Sequence, residues 1–235
     1  MTAPRIIVAT PIRAAEMHAA SVSLGYAEML LRLHRLLPVE VLDGSITFAT
    51  DIVRGRNRIA AKVLREKPDA THVLWLDDDQ WVEDVAVVAE MLALGVDVVG
   101  APYTGKRQPL SWVHRHLPGP PVAMGPLLEV AGLGFGFTLT TTAALRALAE
   151  QERKYTDHPN PFEVANIFGQ LFYHPAEDQG VKVPEAHQAL LGEDYSFCLR
   201  WRRAGGKVWL YTRAGFVMHA GAHAWSAREL PGAAG

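Results

Sequence analysis

Three consecutive carboxylates, Asp77, Asp78 and Asp79, directly follow the apolar stretch THVLWL (71–76). Like charges at this spacing repel one another, so the cluster lowers stability unless a cation offsets the repulsion. Because side chains alternate along an extended segment, we expect Asp77 and Asp79 on the same side of the chain. Such a pair suits a hard cation such as Mg²⁺ or Mn²⁺, which takes other ligands from water and substrate phosphates. The alternative is a solvated turn, where aspartates are also common.

A basic cluster lies at the start of a predicted helix in DIVRGRNRIAAKVL (51–64), where Arg54, Arg56, Asn57 and Arg58 gather. A helix N-terminus that carries arginine side chains is suited to bind a diphosphate or a nucleotide. A solvated basic helix start explains the same residues and is the more common reason for such a pattern.

Two adjacent acids, Glu193 and Asp194, open another predicted helix, and His219 follows near the end of the chain. One carboxylate can act as a general base while the other orients a hydroxyl group. Helix capping and a favourable interaction with the helix dipole account for the acids equally well. His219 is either a metal ligand or a hydrogen-bonded structural histidine.

Three glycines alternate in AGLGFGF (131–137), at Gly132, Gly134 and Gly136. The spacing differs from a dinucleotide-binding fingerprint, and the motif lies far from the first predicted strand. We interpret the glycines as positions where the backbone approaches a substrate closely.

The first half of the chain alternates between strand-like and helix-like segments. Strands are predicted over 5–10, 39–44, 71–77 and 97–103, and helices over 14–36, 51–66 and 82–94. This alternation predicts an α/β fold with a parallel sheet covered on both faces. Ligands of such sheets bind beyond the carboxyl ends of the strands, and the three aspartates lie at one of these ends.

The second half is less regular. The pattern predicts strand-like pieces over 109–140, a long loop or lid over 155–190, a helix over 192–206 and strands over 207–212 and 215–221. We expect a single domain over 1–235 with two halves, over 1–105 and 106–225, and a flexible tail over 226–235.

The composition excludes several classes of protein. A formal net charge of −2 gives no general attraction to nucleic acid or to an anionic membrane. Cys198 is the single cysteine, which excludes an internal disulfide and a multi-cysteine zinc site. No apolar run approaches the ~18 residues that a transmembrane helix needs, so we expect a cytoplasmic protein.

In combination and order, these motifs resemble the GT-A type nucleotide-sugar glycosyltransferases, particularly the family 2-like enzymes of bacteria and phages. The resemblance spans roughly residues 5–221 and rests on ATP (9–11), RGRN (54–57), LDDD (76–79), GLGFGF (132–137), GEDYSFCLRWRRAGGKVW (192–209) and HAG (219–221). It implies a GT-A (Rossmann-like) fold with a mixed, mostly parallel central sheet and helices on both faces. It also implies that 1–105 is a nucleotide-binding half and 106–225 an acceptor-binding half. It also implies a nucleotide-diphosphate sugar as donor, with a UDP-sugar preferred, and Mn²⁺ or Mg²⁺ as cofactor.

The resemblance also implies a role for each matching residue. The implied metal ligands are Asp77, Asp79 and His219. The implied nucleotide contacts are Thr10, Pro11, Arg54, Arg56, Asn57, Asp77 and Asp78. The implied catalytic base is Asp194, with Glu193 as second choice, and the sugar or acceptor pocket is bordered by Trp112, Gly134 and Phe135. The additional Asp78 leaves open which two carboxylates hold the metal.

A base at Asp194 implies an inverting displacement, and a retaining reaction stays open if no base is correctly placed. Two other functions share parts of the pattern. A haloacid dehalogenase-type phosphohydrolase also carries Asp-x-Asp, but near the chain start and with a threonine shortly after, whereas Gln80 and Trp81 follow here. A non-catalytic nucleotide- or carbohydrate-binding module is the other. The acceptor stays open among a glycan, a lipid carrier, a protein, a small molecule and a modified DNA base, as does the oligomeric state.

Overall fold

The computed structural model describes residues 4–11, 24–41, 51–106, 111–158, 161–213 and 217–219. The α-helices in these ranges are α1 (Leu24–Leu36), α2 (Ile52–Glu66), α3 (Ala86–Ala93), α4 (Thr142–Gln151) and α5 (Glu193–Arg203). The strands of the first half are β1 (Ile6–Ala9), β2 (Val39–Val41), β3 (His72–Leu76), β4 (Gln80–Trp81) and β5 (Val98–Gly100). Those of the middle are β6 (His114–His116), β7 (Ala123–Met124), β8 (Leu127–Leu133), β9 (Phe137–Thr141), β10 (Lys154–Asp157) and β11 (Phe162–Ala165). The last strands are β12 (Phe172–Tyr173), β13 (Ala189–Leu190), β14 (Trp209–Tyr211) and β15 (Met218–His219).

The central sheet has the strand order β2-β1-β3-β9-β5-β14. Strands β1, β2 and β3 are parallel, β9 runs antiparallel to both β3 and β5, and β14 is parallel to β5. Beyond β14 the sheet continues onto β8, which is antiparallel to it and also pairs with β6 and β7. The prediction of a mixed, mostly parallel sheet is therefore confirmed, since five of these six strands share one direction.

Helices cover both faces of this sheet, as predicted. Alternating strand residues point to opposite faces, so Ile7 and Val73 join one hydrophobic cluster while Ile6 and Leu74 join the other. The first cluster includes side chains of α2, α4 and α5, and the second includes side chains of α1 and α3. Two buried layers therefore hold the strand ends in place, and the loops beyond those ends can carry polar side chains.

Some element boundaries differ from the prediction. Helix α3 begins at Ala86 and not at Val82, because Gln80–Trp81 still form a strand that pairs with Met218–His219. Glu83 and Asp84 therefore precede α3, and Asp84 accepts a hydrogen bond from the Ala86 amide at 2.9 Å. The parts of the predicted elements over 14–23, 42–44 and 220–221, and the tail over 226–235, lie outside the described residues.

The region after β9 is more regular than predicted. Helix α4 was not predicted, although Thr141 caps it by accepting a hydrogen bond from the Ala144 amide at 3.1 Å. The prediction of a long loop over 155–190 was wrong for the β10–β11 hairpin, which buries Val164 in the core. Two 3₁₀ helices, Pro175–Gln179 and Glu185–His187, and the β12–β13 pair also fall in this region. Across the described ranges, no helix combines the length and apolarity that crossing a bilayer requires.

Candidate functional site

A cleft of about 720 Å³ opens beyond the carboxyl ends of the central strands. Acidic and basic side chains from five separate parts of the chain meet in it, as expected for the ligand-binding edge of an α/β sheet. Its lining consists of Pro11, Ile52, Arg56, Asp77, Asp78, Asp79, Gly105, Lys106, Ser111, Glu193, Asp194 and His219.

The three aspartates form the turn between β3 and β4. The amide of Asp77 donates to the Gly136 carbonyl at 3.1 Å, and the Gln80 amide donates to the Asp77 carbonyl at 3.1 Å. These bonds hold the turn against the start of β9, so the carboxylates enter the cleft from the end of a buried strand. The position predicted for them, at a strand end, is the position that they have.

Arg56 is the cation at the base of the cleft. Its side chain is 2% exposed and lies on the first turns of α2. The Nη2 atom donates to Asp77 Oδ1 at 3.2 Å, while Nη1 donates to Glu193 Oε1 at 3.1 Å and also pairs with Asp194. One buried guanidinium thus contacts three carboxylates, and an ion so deeply buried is tolerable only because these partners surround it.

Asp194 is held from two sides at the start of α5. Its Oδ1 atom pairs with Arg56, and its Oδ2 atom accepts a hydrogen bond from the Phe135 amide at 2.9 Å. Glu193 precedes it in the first turn of the same helix, where the helix dipole favours acidic side chains. The two acids predicted as catalytic therefore lie side by side in the cleft, and Asp194 has the more restricted orientation.

Asp79 lies between two basic groups at the other side of the cleft. Its Oδ2 atom forms an ion pair with Lys106, and its Oδ1 atom lies 3.5 Å from His219 Nε2. The β15–β4 ladder brings His219 to this position by pairing it with Gln80. The His219 Nδ1 atom lies 2.8 Å from the Thr104 carbonyl, which can only accept, so Nδ1 carries the proton.

The electrostatics of Asp79 favour its ionised form. Burial by itself would raise the pKa of this carboxyl group, but the interactions with the neighbouring His219 and Lys106 side chains outweigh burial and lower the pKa. Asp79 is therefore an anion throughout the physiological pH range.

The residues around Asp79 fit a divalent cation that keeps several water ligands. Within the described ranges, no three His, Cys, Asp or Glu side chains group closely enough to cage an ion by themselves. Asp79 Oδ1 is nevertheless buried and lacks a hydrogen-bond partner among the described residues, and His219 presents Nε2 toward it. With Nδ1 bonded to a carbonyl, a neutral His219 has its lone pair on Nε2, the arrangement common to metal-binding histidines. Mg²⁺ and Mn²⁺ are often bound by only one or two protein groups plus substrate phosphates.

Two predicted nucleotide contacts lie elsewhere. Arg54 donates through Nε to Asp157 at 2.6 Å and also bonds the His158 carbonyl, which fastens α2 to β10. Asn57 is 1% exposed, donates to Asn166 Oδ1 at 3.0 Å and accepts from the Phe168 amide at 2.8 Å. Neither belongs to the described lining of the cleft. Their contacts account for them as structural residues.

Of the two nucleotide contacts predicted in the turn after β1, one lines the cleft and the other does not. Pro11 lines the cleft, whereas the Thr10 hydroxyl is buried and lies 2.6 Å from the Tyr26 hydroxyl. The hydroxyl of Thr10 therefore joins β1 to α1, and Pro11 presents its surface to the cleft.

The glycine-rich stretch packs against protein and not against open space. A Cβ atom at Gly132 would meet the Tyr195 ring at 2.5 Å, and side chains of Tyr103 and Gln80 occupy the corresponding space at Gly134 and Gly136. The packing therefore does not support the interpretation that the backbone at these glycines approaches a substrate. They let side chains of the chain itself approach the backbone.

The other predicted pocket residues contribute differently. The Phe135 side chain is fully buried in the core, and it is the amide of this residue that reaches the site, at Asp194. Trp112 is 39% exposed and follows Ser111, which lines the cleft. Trp112 therefore lies at the rim.

The sequence analysis missed Lys106. It stands two residues beyond Thr104 of the Thr104–Trp112 bridge, in the loop after β5, another strand whose carboxyl end faces the cleft. Applying the strand-end rule to β5 as well as to β3 would have identified it. Ile52, Gly105 and Ser111 also line the cleft and were not predicted, because their residue types do not indicate a binding site.

Comparisons with known proteins add information about the fold. No protein-family model and no curated protein matches the chain. Among solved structures, A197 from STIV aligns with a TM-score of 0.52 and 16% identity, covering 92% of this chain and 85% of that chain. At this identity the similarity shows a shared fold.

Two further structures align more weakly. A mannose-1-phosphate geranyltransferase from Thermus thermophilus aligns with a TM-score of 0.40 and 15% identity over 64% of this chain and 60% of its own. A glycosyltransferase involved in the glycosylation of the major capsid of PBCV-1 aligns with a TM-score of 0.33 and 11% identity over 61% of this chain and 62% of its own.

Proposed function

We propose that the chain is a GT-A type glycosyltransferase, which takes a sugar from a nucleotide-diphosphate donor and transfers it to an acceptor hydroxyl. The observation that carries this proposal is that two clusters of acidic residues, Asp77–Asp79 and Glu193–Asp194, line one cleft. Asp79 lies beside His219, and Glu193 and Asp194 pair with the buried Arg56 in the same cleft. The order of the sequence motifs supports the same function independently.

The donor side is the side of Asp79. Asp79 and His219 would hold Mn²⁺ or Mg²⁺ there, with Pro11 facing the nucleoside and a UDP-sugar as the preferred donor. A bound divalent cation stabilises the charge that develops on a departing nucleoside diphosphate. Asp77 is the less suitable ligand, because Arg56 already occupies its Oδ1 atom. Of the three adjacent acids we therefore assign Asp79 to the metal and Asp78 to the nucleotide.

The acceptor side is the side of Glu193 and Asp194. Asp194 would accept the proton of the acceptor hydroxyl as that hydroxyl attacks the anomeric carbon, in a single displacement that inverts the sugar. The Phe135 amide and Arg56 fix the orientation of its carboxylate before the acceptor arrives.

A phosphohydrolase that uses the first aspartate as nucleophile is less compatible with the site. Asp77 would be that nucleophile, and its Oδ1 atom is engaged by a buried guanidinium at 3.2 Å. A binding module without catalysis would bind the donor but release no nucleoside diphosphate from it.

The proposal is tested by release of nucleoside diphosphate. The protein is incubated with a panel of nucleotide sugars and candidate acceptors, with Mn²⁺ or with excess EDTA. We expect metal-dependent release from one class of donor, accelerated by one class of acceptor. Release that proceeds unchanged in EDTA would contradict the requirement for a divalent cation. If the protein binds a nucleotide sugar but releases no nucleoside diphosphate from it, a binding module is favoured.

A further inference from the structure

Lys106 is the cation that holds Asp79 in this structure. Its ammonium group forms an ion pair with Oδ2 of Asp79, next to the Oδ1 atom that faces His219. Both side chains are about one-third exposed, at 35% and 30%. The pair therefore lies where water, ions and substrates reach it.

The loop that carries Lys106 is anchored at both ends. Gly105 donates its amide to the Ser111 carbonyl at 3.0 Å, and Val113 donates to the Tyr103 carbonyl at 2.9 Å. These bonds fix the backbone on which Lys106 begins, while its four-carbon side chain keeps rotational freedom. Lys106 can thus change partners within the cleft without a change in the fold.

The charges of the cleft give Lys106 two competing partners. Among the described lining residues, the permanent cations are Arg56 and Lys106, and Arg56 is already surrounded by three carboxylates. A divalent cation at Asp79 would repel the nearby ammonium group and displace it. A diphosphate would then be the strongest anion within reach, and lysine binds phosphate as a compact point charge.

We propose that Lys106 is an exchangeable counter-ion, which releases Asp79 to the divalent cation and then binds the diphosphate of the donor. This inference rests on the proposed function and assigns a residue that the sequence motifs do not include. The Lys106 side chain would weaken the binding of the metal when no nucleotide is present. It would strengthen the binding of the nucleotide when the metal is bound. Metal and nucleotide would therefore strengthen each other's binding through Lys106.

The test compares Lys106→Met with wild type in two binding measurements. Mn²⁺ alone is titrated by electron paramagnetic resonance of the free ion, and UDP is titrated by calorimetry at saturating Mn²⁺. We expect Lys106→Met to bind Mn²⁺ about threefold more tightly, because an ion pair that competes with the metal is lost. We expect the same variant to bind UDP about tenfold more weakly, because a charge-assisted phosphate contact is lost.

Lys154→Met is the matched control. Lys154 also forms an ion pair with a carboxylate, Glu163, at 2.9 Å, but on the β10–β11 hairpin and outside the cleft lining. We expect it to bind Mn²⁺ and UDP as wild type does. The melting temperatures of both variants show that each is folded.

The outcomes separate this inference from the function on which it rests. If wild type binds both ligands and Lys106→Met binds both unchanged, or binds both more weakly, the exchange is refuted and the donor site stands. If wild type binds UDP equally well without Mn²⁺, the exchange is also refuted. If wild type binds neither ligand, the donor site and the exchange are refuted together.

Discussion

Arg56 donates to Asp77 over 3.2 Å and so joins the first turns of α2 to the end of β3. The same guanidinium contacts Glu193 and Asp194 at the start of α5. Three elements that are distant in the sequence therefore meet at one buried charge. This charge therefore holds the end of β3 close to the start of α5.

Replacement of Arg56 should destabilise the fold. Arg56→Met removes the only cation that contacts three partly buried carboxylates in the described structure, and breaking a buried ion pair in this way costs about 3 kcal/mol or more. Arg56→Lys should recover little, because its single nitrogen cannot span the separate positions from which Nη1 and Nη2 of the guanidinium reach their partners. Urea unfolding measures the loss. Arg5→Met, which breaks an exposed pair with Asp69, should change stability by less than about 1 kcal/mol. Equal losses in the two methionine variants would refute the anchoring role.

Replacement of the proposed base should separate binding from turnover. Asp194→Asn keeps the shape of the side chain and its bond from the Phe135 amide, but it cannot accept a proton. We expect kcat to fall about 100-fold or more, with little change in the affinity for UDP in the presence of Mn²⁺. Glu193→Gln is the comparison, and we expect a smaller loss. If Glu193→Gln has the larger effect on kcat, the base is Glu193.

His219 should contribute to metal affinity. Its Nδ1 atom is held by the Thr104 carbonyl, so Nε2 points to Asp79 before any ion binds. We expect His219→Ala to weaken Mn²⁺ binding about tenfold or more, measured by electron paramagnetic resonance. His116→Ala, at an exposed histidine of β6, should bind Mn²⁺ as wild type does. Equal Mn²⁺ affinity in both variants would remove His219 from the site.

His114 should make the fold sensitive to mild acid. Burial lowers the pKa of His114 from 6.5 to about 4, and the neighbouring His116 contributes in the same direction. Between these pH values the unfolded chain binds a proton that the folded chain does not, so stability falls as the pH falls from 6.5 toward 4. His114→Gln should therefore lose less stability than wild type between about pH 7 and about pH 5, by urea unfolding. His34→Gln, on the exposed side of α1, should lose as much as wild type. A variant at His114 that is equally acid-sensitive would contradict this assignment.

The sequence predicted the positions of the acidic residues better than it predicted the partners of the arginines. A run of buried apolar residues followed by aspartates identifies a strand end, because burial and charge change there together. The direction of each arginine at a helix start depends on its angle around the helix axis. Arg54 and Arg56 are two residues apart, about 200° around the helix, so one bonds β10 while the other enters the cleft. Adjacent positions in a motif therefore do not imply a shared site.

The side chains that pack against the glycines could not be predicted from the sequence either. Gly25 lies in the first turn of α1, and a Cβ atom there would meet the Trp81 ring at 2.5 Å. A glycine pattern shows that something approaches the backbone without showing what approaches. At Gly25 and at Gly132 the approaching group is an aromatic side chain of the same chain.

The central claim is that the cleft binds a nucleoside diphosphate together with a divalent cation at Asp79. The most direct measurement is thermal unfolding with UDP and other nucleoside diphosphates, each with and without Mn²⁺. Ligand at about 100 times its Kd adds about 2.7 kcal/mol of stability, enough to raise the Tm by a few degrees. We expect such a rise with one nucleotide plus Mn²⁺, no rise in Asp79→Asn, and an unchanged rise in Asp69→Asn, a surface control. The absence of any Mn²⁺-dependent rise with every nucleoside diphosphate would contradict the account.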